Sequence, residues 1–160
     1  MKKVNPEYAN ALKEIANRGP FLQLLPMEIT ELDAGYCKIE TKLTEKLNNP
    51  FGITHGGVFA SLIETATYWA VYCGIEEDKG ITTIDVKMDN LSGTKGSKLI
   101  TEGKQIKIGK TVCLAEATVT DETGRLLAYG NSKILVVPGL QSIKQAAEYT
   151  GYGSLPQKFL

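Results

Sequence analysis

The stretch Gly57-Val58-Phe59-Ala60-Ser61-Leu62-Ile63-Glu64-Thr65-Ala66-Thr67-Tyr68-Trp69-Ala70-Val71-Tyr72-Cys73-Gly74 decides how this chain folds. It is long enough for about five helical turns. Apolar residues fall nearly all round it, so it reads as a helix enclosed on most sides rather than one lying on a surface. Gly74 supplies the stop. Between Phe51 and Ile75 the only formal charge is Glu64, which together with three threonines and the Gly56-Gly57 pair makes the segment a poor membrane span.

Working outward, four runs after this helix alternate between apolar and polar residues: Thr82 to Asn90, Leu99 to Ile108, Thr111 to Thr120 and Leu126 to Val137. Their connectors, Ser92-Gly93-Thr94-Lys95-Gly96, Gly109-Lys110 and Asp121-Glu122-Thr123-Gly124, have the composition of hairpin loops, which predicts an antiparallel meander. Upstream, Met27 and Ile29, then Cys37, Ile39, Thr41 and Leu43, alternate about an Asp33-Ala34-Gly35 turn and predict a strand or hairpin with one wet face. Residues Pro6 to Ala16 set Tyr8, Ala11, Leu12 and Ile15 at helical spacing, with Asn5-Pro6 as the start and Gly19-Pro20 as the stop. The order is that of an α+β domain, a curved antiparallel sheet wrapped around one long central helix. We expect a single domain over residues 1–160, with an N-terminal helix at 6–17, a core at about 20–138, and a tail at 141–160 that is helical from Ile143 to Tyr149.

At 160 residues and 42% hydrophobic content, such a domain needs no disulfide or metal to hold a core. Eighteen basic residues balance eighteen acidic ones, so no long-range field gathers nucleic acid or anionic membrane, and any anionic ligand must be held by local charges. Cys37, Cys73 and Cys113 are odd in number, far apart and set among apolar neighbours, which reads as buried thiols in a reducing compartment. The opening MKKVNPEYANALKEIANRG has no apolar run behind its lysines, so it does not read as a secretory signal, and a cytoplasmic protein is expected. One histidine and three scattered cysteines offer no tetrahedral ligand set; neither a metal nor a cofactor is expected.

Glu64 is the residue that asks for an explanation, because a carboxylate enclosed by apolar neighbours is costly unless it is hydrogen-bonded or neutralised. A structural partner from Thr67, Tyr68 or a neighbouring strand is one answer. The approach to the helix suggests another. Asn48-Asn49-Pro50-Phe51-Gly52-Ile53-Thr54-His55-Gly56-Gly57 brings two glycines to the first turn, where backbone N–H groups are unpaired and lie at the positive end of the dipole. Such a turn is a ready oxyanion hole. Taken singly, Gly56-Gly57 is a tight turn, His55 a packed or capping residue, and Asn49 a turn initiator before proline. Their joint spacing to Glu64 carries the reading.

That spacing, Asn49-x5-His55-Gly56-Gly57-x6-Glu64, resembles the signature of the hotdog-fold thioesterases of the phenylacetate-degradation (PaaI-type) group. The likeness extends from about residue 5 to 138 and includes Thr83-Ile84-Asp85-Val86-Lys87-Met88, Ile106 to Glu116 and Thr118 to Tyr129. It implies a hotdog fold and hydrolysis of an acyl- or aryl-CoA thioester to the free acid and coenzyme A. Carried over position by position, the resemblance assigns the Gly56 N–H, helped by Asn49 and with Gly57 beside it, to polarising the thioester carbonyl. It implies that His55 helps fix the thioester, that Glu64 serves as nucleophile or general base, and that Thr83 stands where the family often has a Ser or Thr that holds the attacking water. Many members have Asp where this chain has Glu64, so direct attack and water activation both remain open.

A thiolate leaves easily, so no Ser-His-Asp triad is required, and no G-x-S-x-G elbow is present. Lys107, Gly109 and Lys110 form a hairpin tip suited to the phosphates of coenzyme A, unless they are simply solvated. Phe59, Tyr68, Trp69 and Tyr72 line an acyl pocket or are plain core. A hotdog dehydratase or hydratase and a non-catalytic acyl-CoA-binding protein are the alternatives. Gly56 and Glu64 are eight positions apart, about 12 Å along one helix, more than a glutamate side chain spans. A homodimer with antiparallel central helices and shared sites, or a tetramer built from it, therefore follows.

Overall fold

The computed structural model describes residues 3–160. Helix α1 spans Pro6–Asn17 and begins as expected, with the Asn5 side-chain oxygen accepting the Glu7 N–H at 3.0 Å. Its buried stripe is Tyr8, Leu12 and Ile15 with the alanines between. Gly19-Pro20 does more than stop it: Pro20 opens a second short helix, α2 (Pro20–Leu24). A proline at the first helical position has the right φ and forfeits no hydrogen bond.

Strands β1 (Met27–Asp33) and β2 (Tyr36–Lys42) form the expected hairpin, with Gly35 taking up a φ of 82° in the turn. The central helix α3 runs Gly56–Gly74, starting one residue earlier than its sequence suggested. Strands β3 (Lys79–Asn90), β4 (Lys98–Lys107), β5 (Val112–Asp121) and β6 (Leu126–Pro138) follow, then helix α4 (Ile143–Tyr149).

The six strands make one antiparallel sheet in the order β1-β2-β4-β5-β6-β3. The expected four-strand meander is therefore only three strands long, β4-β5-β6; β3 pairs instead with β6, from Lys79 opposite Pro138 to Asn90 opposite Ala128. Ser92 to Gly96 is not a hairpin loop but a crossing. The reason lies at the β5–β6 turn, where Asp121 accepts the Thr94 hydroxyl at 2.9 Å and Glu122 accepts the Ser97 N–H at 2.7 Å. These bonds pin the crossing segment against the turn and deliver the chain to the far side of β5. A Cβ on Gly96 would meet the Glu122 carboxylate that holds Ser97, so a larger residue there would displace that contact.

Helix α3 packs against all six strands, and Leu62, Ile63, Ala66 and Ala70 are fully buried between them. The fit is close. A Cβ on Gly103 of β4 would stand 2.5 Å from the Ala66 carbonyl oxygen, so the helix backbone lies directly on the strand. All three cysteines are free and buried, and burial pushes the Cys73 thiol up to about 12, so these thiols pack rather than react. Among the described residues no helix is long and apolar enough to cross a membrane.

The tail, to which the sequence assigned no role beyond a short helix, closes over α1 and α3. Ser142 and Gln145 form a reciprocal capping box at the start of α4. Ile143 and Ala147 pack into the cluster that holds Tyr8 and Ile15. Beyond α4 the chain returns to its own beginning: the Asn5 N–H donates to the Lys158 carbonyl at 2.8 Å and the Leu160 N–H to that of Lys3 at 3.0 Å. Lys158 is only 2% exposed, with its ammonium 5.3 to 5.7 Å from the ring centres of Tyr8, Tyr72 and Phe159. Burial lowers its pKa, and the aromatic faces supply the compensation that a buried cation needs.

Candidate active site

Two groups of the expected residues are each brought together, at different heights on α3. The first is at its N-terminus. His55 is the N-cap, with Nδ1 accepting the Gly57 N–H at 2.8 Å, so the neutral ring carries its proton on Nε2. This consumes the Gly57 donor, while among the described residues the Gly56 N–H meets no protein acceptor. The turn leading in is organised by Asn49, whose side-chain oxygen accepts the Phe51 N–H at 2.9 Å and the Ile53 N–H at 3.3 Å. The same turn is closed by Asn49 N–H to the Ile53 carbonyl, 2.8 Å, and places Gly52 at a φ of 76°. One neighbour was not foreseen: the Asn90 amide nitrogen, at the end of β3, lies 3.0 Å from the position a Cβ on Gly56 would take.

The second group is two turns further along. Glu64 Oε1 accepts the Thr83 hydroxyl at 2.7 Å, leaving Oε2 for other work. The β3–β6 register shifts between Thr83 and Asp85, so Ile84 is bulged outward and is 55% exposed while the Thr83 hydroxyl meets α3. Bulges re-aim side chains in this way beside active sites; a single sequence does not show one. The expectation that Glu64 is enclosed is corrected. It is half-buried in the single chain, because its face of α3 is turned to β3, the last strand of the sheet, with nothing beyond.

Beside Glu64 the surface opens into a cavity of about 500 Å³. Tyr68, Trp69 and Tyr72 line it as expected, joined by Phe21 of α2 and by Gln141 and the first turns of α4. Phe59 does not: it is 4% exposed and belongs to the core between α3 and the sheet, one turn too early and on the wrong face. Tyr68 and Tyr72 are stacked at 5.7 Å, with Trp69 edge-on to both. Burial, then the neighbouring Tyr72 and Glu64, raise the Tyr68 pKa well above the usual phenol range, so its hydroxyl stays protonated.

The hairpin tip with Gly109 and Lys110 lies beside Gly74 and Ile75, with Lys79 and Ile108, at the other end of α3. Within one chain it is some ten residues of helix, roughly 15 Å, from Glu64. Lys107 is exposed just before it.

This arrangement can polarise a carbonyl at one place and present a carboxylate at another. Comparison with known proteins fixes its family. The thioesterase superfamily pattern matches residues 51–128, a span that contains His55 to Glu64 and Thr83 and begins two residues after Asn49. A Halobacterium salinarum protein named as an esterase is 30% identical over 61% of this chain and 68% of its own length. The chain belongs to the thioesterase superfamily. Within that superfamily a Listeria monocytogenes 1,4-dihydroxy-2-naphthoyl-CoA hydrolase is 29% identical over 71% of this chain and 93% of its own. A Haemophilus influenzae thioesterase of known structure superposes with a TM-score of 0.78, covering 88% of this chain and 98% of its own, at 20% identity, a likeness of fold. The superfamily's pattern ends before Gln141, so the α4 side of the cavity lies outside it.

Proposed function

We propose that this acyl-CoA thioester hydrolase works from sites shared between two chains, each built from Glu64 and Thr83 of one and the Gly56 turn of the other. The observation that supports this most is one of length. Gly56 and Glu64 stand on the same straight helix, eight residues and about 12 Å apart, while a thioester carbonyl and its attacking group meet within about 3 Å. A second helix running antiparallel brings Gly56 of the partner subunit opposite Glu64. The carbonyl oxygen then sits on that N–H and gathers charge there as the carbon turns tetrahedral. Thr83 holds Glu64 in place through Oε1, and Oε2 attacks the thioester carbon or takes the proton of a water that does so. The thiolate of coenzyme A leaves. Asn49 and His55 shape the oxyanion turn, and Lys107, Gly109 and Lys110 of one chain reach the phosphates of a thioester held at the shared site. Placement in the PaaI-type group rests on the motif from Asn49 to Glu64.

Glu64→Gln tests the assignment. It preserves shape and the Thr83 contact, and we expect turnover on acyl-CoA thioesters to fall by about a hundredfold or more while the melting temperature holds. Hydrolysis at the wild-type rate would make Glu64 structural and the protein's chemistry a matter for other residues.

A further inference from the structure

Among the described residues, Gln141 is the only non-glycine residue with a positive φ, 49°. A glutamine is held in the left-handed region only where its surroundings impose that strain. Here the surroundings are the rim of the cavity beside Glu64. The Gln141 side-chain oxygen accepts the Tyr68 hydroxyl at 2.8 Å, and its carbonyl accepts that of Tyr72 at 2.7 Å. Ser142, next in the chain, starts α4. The strained residue thus joins the aromatic face of α3 to the wall formed by the tail.

The two tyrosines lie one and two turns beyond Glu64, about 6 and 12 Å along the axis. An acyl group whose thioester carbon is at Glu64 runs along this face, with its far end reaching the Tyr68–Gln141 pair. At that end the chemistry changes. Walls of Phe21, Trp69 and Tyr72 give way to an amide whose two N–H groups have no acceptor among the described residues, since only its oxygen is engaged. An aliphatic terminus would cover that amide and cost it solvent without return; a hydroxyl accepts from it.

We infer that this cavity is the acyl pocket and that Gln141, held by Tyr68, selects short acyl groups carrying a hydroxyl at the end remote from the thioester. The inference rests on Glu64 marking the thioester end. It makes the C-terminal segment, which lies beyond the matched superfamily region, the element that sets acyl specificity.

The test uses matched thioesters on this chain: octanoyl-CoA against 8-hydroxyoctanoyl-CoA, and benzoyl-CoA against 4-hydroxybenzoyl-CoA. In the wild type we expect kcat/KM to favour the hydroxylated member of at least one pair by about tenfold, the worth of one hydrogen bond to an otherwise unpaired amide. Gln141→Gly relieves the backbone strain and removes the amide. It should lower the ratio of kcat/KM for the hydroxylated over the unsubstituted member to about one, with the fold intact by thermal melting. Tyr68→Phe, which frees Gln141, should weaken the preference in the same direction. Dissociation constants for the same pairs are read in the Glu64→Gln background, with and without Gln141→Gly. A binding preference abolished by Gln141→Gly supports the pocket even if Glu64 proves not to be catalytic. A ratio of one in the wild type, or a preference that survives Gln141→Gly, overturns the pocket even if Glu64→Gln is inactive.

Discussion

At the scale of single residues, His55 and Thr83 each combine an observed structural contact with a proposed chemical role. His55 caps α3 through Nδ1, and losing an N-cap costs about 1 kcal/mol. We expect His55→Ala to lower the unfolding free energy by that amount and to lower turnover, and His55→Asn, a good N-cap, to restore the stability. If His55→Asn also restored full turnover, the histidine would be a cap and nothing more. Thr83→Val should leave the fold nearly unchanged and lower turnover by roughly tenfold, because Glu64 loses the bond that fixes its Oε1, and kinetics beside a thermal melt separates the two effects. The sequence made Glu64, Gly56 and His55 legible through spacing alone, since all three are set by one helix and its approach. It could not show that Thr83 donates to Glu64 itself, because that depends on a bulge across two strands distant in sequence. Gln141 and Asn90 were illegible for the same reason: nothing local distinguishes a glutamine two residues after a glycine or an asparagine at a strand end.

Among the elements, α3 and its nearest strand carry most of the architecture. The all-round apolar pattern of residues 57–74 identified a helix enclosed by a sheet, and periodicity gave every strand to within a few residues. Strand order was the part that failed. Composition made residues 92–96 look like a hairpin loop, but whether such a loop turns back or crosses depends on Asp121 and Glu122, which hold it from another hairpin. The contact of α3 with β4 is equally non-local and equally specific. Gly103→Val would place methyl groups against the Ala66 carbonyl and push the central helix off the sheet. We expect a loss of about 3 kcal/mol in chemical denaturation. Unchanged stability would mean that α3 does not lie on the strand as closely as described.

For the whole molecule, the proposed site needs groups that one chain holds too far apart to use together. Gly56 and Glu64 stand about two helical turns apart, the half-buried glutamate faces an uncovered edge, and that edge, β3, presents Ile84 at 55% exposure, with Leu91 equally exposed one residue past its end. An uncovered edge strand can pair with another strand, and a two-fold partner along β3 would set two α3 helices side by side. The decisive measurement is complementation. Glu64→Gln and Gly56→Val, the latter setting a side chain against the Asn90 amide at the turn, are each expected to be inactive alone; the two are then unfolded together and refolded. About half of the dimers should be hybrids, each with one site holding both native groups, so up to about a quarter of wild-type thioester hydrolysis should return. No recovery, with hybrids demonstrated by native mass spectrometry, would contradict a site shared between chains.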